Sequence, residues 1–175
     1  MVELVAVEPA DHAALLAFEL ENRAFFEARI NARAPAYYSE EGVRQAIATA
    51  LADVAGDLGY QFLIKAGGDI VGRINLRDVD RTRGSAVLGY RIAAAQVRKG
   101  YAGAAVRAVL DIAFGRLGLQ RIEACARASN LGSVQVLLNN GFVQWGRTPG
   151  GVVLNGMAHD RSHFERSRVE CISRR

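Results

Sequence analysis

The sequence predicts a mixed α/β domain: a central, twisted, mostly antiparallel sheet of about seven strands with helices on both faces. Three observations point there. Apolar residues recur with a helical period in some segments and a period of two in others. The segments so marked run strand, two helices, three strands, helix, strand, helix and a closing hairpin. The chain has 175 residues, half of them hydrophobic, which suffices for one core in one domain.

Residues 2–7 alternate like a strand, and Pro9 ends them. Asp11 can cap a helix that reads from His12 to about Arg33, with room for one break, before Pro35. Leu15, Leu16, Phe18, Phe25, Phe26 and Ile30 form its apolar side. Glu19, Glu21, Glu27 and Arg29 form its polar side. Ser39 caps a second helix of about 40–58, with Val43, Ile47, Ala50, Leu51, Val54 and Leu58 at helical spacing. The period then changes. Strands at 60–65 and 70–76 flank the turn Ala66-Gly67-Gly68-Asp69, and a third strand covers 85–92. A helix of 100–117 presents Val106, Val109, Leu110, Ala113, Phe114 and Leu117. A strand at 121–127, a helix at 130–140 broken by Gly141, and strands near 142–147 and 152–164 complete the order. Phe142, Trp145 and Cys125 read as packed residues. The domain is expected over 1–165, with 166–175 a basic tail.

Composition excludes several classes. No run of about 18 apolar residues is present, so no membrane-spanning helix and no membrane partner are expected. The N-terminus lacks the basic start and apolar run of a secretory signal. Two cysteines without a Cys-x-x-Cys pattern argue against a disulfide framework or zinc site and favour a reducing, cytoplasmic setting. His159 and His163 lie on a strand with no third ligand near, so no metal is expected. The net charge of +4 favours an anionic ligand without specifying nucleic acid. Arg161, Arg166, Arg168, Arg174 and Arg175 read as a solvated end in preference to an RNA-binding arm.

The most informative segment is Gln96-Val97-Arg98-Lys99-Gly100-Tyr101-Ala102-Gly103, between a strand and an amphipathic helix. Successive amides in such a turn converge on an anion, and the helix dipole adds positive potential. Gly100, Ala102 and Gly103 keep bulk away, while Arg98 and Lys99 add charge. Neither G-x-x-x-x-G-K-[ST] nor G-x-G-x-x-G is present, so P-loop and dinucleotide-binding readings fail. Taken alone, the segment is equally compatible with an ordinary helix start carrying two solvated basic residues.

Val97-Arg98-Lys99-Gly100-Tyr101-Ala102 resembles the Q/R-x-x-G-x-G/A motif of the GNAT N-acetyltransferase family, with Val97 in place of the usual Gln or Arg. Asn130-Leu131-Gly132-Ser133, followed by Asn140-Gly141-Phe142, resembles the family's next motif. The element order over residues 2–165 is similar to the GNAT fold. Within the family, Glu21-Asn22-Arg23-Ala24-Phe25-Phe26, Arg33, Tyr37-Tyr38, Gly89-Tyr90 and Asn130-x-x-Ser133 most resemble the RimJ/RimL ribosomal-protein alanine acetyltransferases. Leu154 to Arg161 is similar to that group's closing strand, with Met157 and Arg161 departing from its usual Trp and His.

The resemblance implies acetyl-CoA as cofactor and an amine as acceptor, a protein N-terminus first; it leaves a homodimer open. Residues 97–103 would take the diphosphate, with Asn130 and Ser133 also near the cofactor. The backbone N–H near Ile92 would face the carbonyl oxygen. Leu137 stands where many members carry a thiolate-protonating Tyr, so Ser133 is the substitute. Its hydroxyl can relay a proton but is a weak acid; it can equally be a helix-start hydrogen bonder. Asn130 can be a cap, a cofactor contact, or both. No general base stands out: Glu123 could reach the cleft, and Glu21, Glu27 or Tyr90 could act through water, but each reads more readily as a surface or structural group. A small-molecule amine acceptor (antibiotic or polyamine), a non-catalytic acyl-CoA sensor and a ribosome-associated module are the competing functions.

Overall fold

The computed structural model describes residues 2–168. Its seven strands are β1 (Glu3–Ala6), β2 (Tyr60–Ala66), β3 (Asp69–Asp80), β4 (Ser85–Ile92), β5 (Arg121–Arg127), β6 (Val143–Leu154) and β7 (Met157–Ser167). The helices are α1 (His12–Glu27), α2 (Glu40–Ala55), α3 (Tyr101–Asp111, extended by a π turn over Ile112–Arg116) and α4 (Leu131–Asn139). One sheet holds all the strands in the order β1-β2-β3-β4-β5-β7-β6. Only β4 and β5 pair in parallel; every other neighbour is antiparallel. The expected sheet and helix order are therefore observed.

Strand alternation divides the core between two faces. Ile64, Ile74, Leu76, Ala86, Leu88, Ile122, Ala124 and Phe164 pack with Val106, Val109 and Leu110 of α3 and Leu137 of α4. Leu63 and Val7 pack on the other face with Leu15, Phe18 and Phe26 of α1 and Val43, Ile47 and Ala50 of α2. The Ser39 hydroxyl caps α2 by accepting from Gly42 N at 3.0 Å.

Three expectations need correction. Helix α1 stops at Glu27, not near Arg33: the amides of Arg29 and Ile30 both donate to Phe26 O at 2.8 Å, closing a tight turn. Helix α2 stops at Ala55, not 58, because Asp57 turns left-handed at φ 56° and Leu58 N reaches back to Asp53 O at 2.8 Å. Leu51, Val54 and Leu58, expected on the packed face, are exposed. The third concerns the closing hairpin. Strand β6 runs unbroken past Pro149, and the turn is Asn155-Gly156, with φ 50° and 76°. Two consecutive positive φ values match the right-handed twist of a two-residue hairpin. The 148–151 segment is instead a bulge, where pairing jumps from Thr148↔Arg161 to Val152↔His159. Because β6 is the outer strand of the sheet, Pro149 can sit there without breaking a ladder.

Phe142 is buried as expected, but Trp145 is 60% exposed and stacks on the His163 ring at 5.0 Å. Cys125 is exposed as well. It lies on the face of β5 opposite Ala124 and Ala126, whereas α1 and α2 pack over β2 and β3. Strand β7 ends at Ser167, two residues past the expected domain edge; residues 169–175 of the basic tail lie outside the described residues.

Candidate active site

Strands β4 and β5 are paired from Ser85↔Arg121 to Leu88↔Ala124 and then part. Beyond Gly89, β4 stays with β3 as far as Gly72↔Ile92. The next amide, Ala93 N, donates to Val71 O at 2.9 Å. Amides alternate between the two edges of a strand, so the Ile92 N–H turns toward the gap that β5 has left. A cavity of about 540 Å³ opens there. Tyr90, Arg91 and Ile92 form its floor. The start of α3 and of α4 make one wall, and Phe25, Phe26, Arg29 and Ile30 at the end of α1 make the other.

The turn before α3 has the predicted shape. Arg98 and Gly100 are both left-handed, at φ 64° and 80°. For Arg98 that conformation costs about 1–2 kcal/mol, so the surrounding turn must hold it. A Cβ at Gly100 would meet nothing within 4 Å. Backbone geometry, not lack of space, therefore selects glycine here. The first return bond of the helix is Ala104 N to Gly100 O at 3.1 Å, so the preceding amides are those a helix start leaves for a ligand. Val97, Arg98, Gly100, Tyr101, Ala102 and Gly103 all line the cavity. Lys99 does not; its ammonium donates to Gln96 Oε1 at 2.8 Å. The residues fit a diphosphate: left-handed turn, unspent amides, a helix start and the Arg98 charge converge on one cavity wall.

Asn130 caps α4, its Oδ1 accepting from Ser133 N at 3.2 Å. That bond fixes the Ser133 backbone, and the Ser133 hydroxyl lies 2.8 Å from the Tyr90 hydroxyl. Tyr90 also donates to Ser133 O at 3.3 Å. Burial pushes the Tyr90 phenol above its ordinary value of 10.0, partly opposed by the Ser133 hydrogen bond. Both residues line the cavity. Leu137 is buried and carries no donor.

The structure brings together Tyr90, Ile92, Val97, Arg98, Gly100 to Gly103, Asn130 and Ser133. It does not bring Glu123 to them. Ile122 and Ala124 face the α3 side of the sheet, so Glu123 projects to the opposite face, where it pairs with Arg121 at 2.9 Å. Glu21 is exposed. Glu27 is held by Arg23 at 2.8 Å and Tyr38 at 3.4 Å. Among the described residues, no group of three or more His, Cys, Asp or Glu side chains could hold a metal ion. No helix there is long and apolar enough to cross a membrane.

One cluster was not anticipated. Glu19, expected on the polar side of α1, is fully buried. Arg73 donates to its Oε1, Arg91 to its Oε2 at 3.2 Å, and Arg33 lies 3.8 Å away. Arg73 also donates to Tyr37 Oη at 2.9 Å and Gln61 Oε1 at 2.8 Å. Burial and then the charge of Arg33 push the Arg91 guanidinium down to about 10. A signal existed in the sequence. The buried residues of α1 are Leu15, Phe18, Glu19, Asn22 and Phe26, which places Glu19 inside the apolar stripe. Asn22 is engaged similarly, its Oδ1 accepting from Ala94 N at 2.8 Å.

Residues 2–143 match the family model described as an acetyltransferase (GNAT) domain. The chain is 36% identical over 157 residues to the probable N-acetyltransferase YjcK of Bacillus subtilis, covering 88% of this chain and 87% of that one. Among solved structures, the ribosomal-protein-S5-alanine acetyltransferase from Vibrio fischeri superposes with a TM-score of 0.90 at 22% identity, over 95% and 92% of the two chains. Mycobacterium smegmatis RimJ in complex with CoA-disulfide superposes with a TM-score of 0.87 at 25% identity, over 95% and 81%.

Proposed function

The chain belongs to the GNAT acetyltransferase family and is an acyltransferase that uses acetyl-CoA, and from that premise we propose that its acceptor is a primary amine, foremost the α-amine of a protein or peptide N-terminus. When bound, the cofactor supplies the acetyl group as a thioester. The amides of Arg98 to Gly103 and the Arg98 side chain would hold the diphosphate. The gap-facing edge of β4 would align the pantetheine arm. The Ile92 N–H would polarise the thioester carbonyl. Phe25, Phe26 and Ile30 exclude water from the reacting atoms. As the amine nitrogen bonds to the acetyl carbon it sheds a proton, and as the C–S bond breaks the Tyr90–Ser133 pair would pass a proton on to the sulfur, Ser133 as relay and Tyr90 as its partner, so that each hydroxyl ends the turnover as it began.

One observation favours the α-amine. Among the described residues, no carboxylate or imidazole lines the cavity, so the amine must arrive neutral. An α-amine of pKa about 7.7–8 is roughly a tenth or more neutral at pH 7, whereas a lysine near 10.4 is under a thousandth neutral. The ribosomal acetyltransferases among the structural neighbours are consistent with this acceptor.

The test is thiol release from acetyl-CoA against a panel: peptides with free N-termini, the same peptides blocked but carrying lysine, and polyamines. Free N-termini should give the highest kcat/KM. A higher value for lysine or a polyamine would refute the α-amine reading.

A further inference from the structure

The cluster around Glu19 has work left over after the fold is accounted for. Three guanidinium groups meet one carboxylate, three positive charges against one negative. Glu19 spends both its oxygens on Arg73 and Arg91. Arg73 spends three of its five N–H groups on Glu19, Tyr37 and Gln61. Arg33 and Arg91 spend fewer. Arg91 makes one hydrogen bond, to Glu19, and lines the cavity. Arg33 stacks on the Tyr37 ring at 4.3 Å, and its Nε is buried with no hydrogen-bond partner among the described residues. The side chains of Arg33 and Arg91 keep 31% and 21% exposure, so a ligand can reach them.

Their position says which ligand. Arg91 stands between Tyr90 and Ile92, on the opposite side of β4 from the Tyr90 hydroxyl and against the Phe26 ring at 5.0 Å. The diphosphate grip lies at the far end of the cavity, on residues 98–103, and the arm between is uncharged. Arg91 therefore brings surplus charge to the part of the cavity beyond where the thioester would lie, on the side from which an amine would approach, and Arg33, which does not line the cavity, is joined to it through Glu19. Partly buried cations of one sign call for an anion that the protein does not supply.

Resting on the amine-acetylation reading, we infer that the acceptor carries a carboxylate close to its amine, and that this carboxylate docks on Arg91 and Arg33. It can come from an acidic side chain just after a peptide N-terminus or from a small amino acid.

Two matched pairs separate these sources: peptides beginning Ala-Glu against Ala-Gln, and a short amino acid against its amide, compared at equal concentrations of neutral amine. In the pair that represents the true source, the acid should exceed its neutral partner in kcat/KM by about tenfold or more, as charge-assisted bonds predict. Arg33→Gln should bring that ratio close to one and leave acetyl-CoA affinity unchanged, while Arg33→Lys keeps most of it. Equal rates for acid and neutral partner in both pairs, or an undiminished ratio in Arg33→Gln, overturn the inference and leave amine acetylation standing. Thiol release from no acceptor would instead overturn the acetylation reading. The anion site is then read by calorimetric titration of the CoA-saturated protein with the acetylated products, where equal affinity for acid and neutral forms overturns it.

Discussion

The hydroxyls of Tyr90 and Ser133 lie 2.8 Å apart although 43 residues separate them in the chain. One hydroxyl stands on the strand floor of the cavity and the other on the first turn of α4. The pair spans the gap between β4 and β5, where the thioester would sit. Neither hydroxyl is acidic alone, but a chain of two can carry a proton that one cannot place.

Removing either hydroxyl should therefore slow the chemical step more than it weakens the cofactor. Ser133→Ala and Tyr90→Phe should each lower kcat by up to about 10²-fold, with acetyl-CoA affinity changed much less. The double variant should be little worse than either single one, because the two act in series. Burial raises the Tyr90 phenol above its ordinary value, so its proton stays in place from neutral pH up through the ordinary phenol range. A fall in kcat within that range that persists unchanged in Tyr90→Phe belongs to another group. Stopped-flow thiol release across pH measures both effects, and an unaltered kcat in the two single variants would remove the pair from the mechanism.

Gly100 makes a sharper case because two variants there should fail differently. Gly100→Ala forces a Cβ into φ 80° but into open space. It should lose about 1–2 kcal/mol of stability and still bind acetyl-CoA. Gly100→Asp adds a carboxylate facing the diphosphate and should abolish binding. Isothermal titration of both, with urea unfolding as control, tests the assignment; equal affinities would show that the diphosphate does not lie on this turn.

The cofactor half of the site was legible in the sequence because it is built from consecutive residues. A strand, a glycine-bearing turn and a helix start impose their geometry locally, so Val97 to Gly103 could be placed on a turn from order alone, while their reading as a diphosphate cradle came from the resemblance to the GNAT motif. The acceptor side was not, because it depends on packing between distant segments. Glu19, Arg33, Arg73 and Arg91 come from α1, the loop after it, β3 and β4. The one local hint was a charge inside an apolar stripe. Glu123 failed for the complementary reason: its strand was right, but only the alternation fixed by Ile122 and Ala124 decides which face it takes. The closing hairpin was misplaced because strands near 142–147 and 152–164 leave Thr148-Pro149-Gly150-Gly151 between them as its turn. On an outer strand those residues make a bulge, and Asn155-Gly156 makes the turn.

Glu19→Ala should be among the most destabilising single changes in the protein. It removes the carboxylate that three arginines share and leaves their partly buried charges without a counterion. Loss of one partner from a buried pair costs about 3–5 kcal/mol. Double substitution with Arg73→Met, which also withdraws a charge, should recover part of the loss. Denaturant unfolding of the single and double variants measures this; a loss below about 1 kcal/mol for Glu19→Ala would mean that the cluster behaves like a surface ion pair.

Acid sensitivity should trace in part to Asp57. This residue follows α2 at φ 56° and ties that corner to the sheet. Arg81 donates to both of its oxygens, and Tyr60 donates to Oδ1 at 2.6 Å. The Arg81 hydrogen bonds, then that of Tyr60, hold the Asp57 carboxyl down to about 2, from 3.8. A carboxylate with a depressed folded pKa stabilises the fold above its unfolded pKa. That contribution is lost as pH falls through the folded value. The Asp57 contribution should accordingly be constant above about pH 5 and decline between about pH 4 and 2. Asp57→Asn keeps the size of the side chain and removes the charge, so its stability should be lower at pH 7 and fall less steeply in that window. Urea midpoints of both proteins measured from pH 7 to 2 test the claim, and parallel curves would show that Arg81 and Asp57 do not interact in solution.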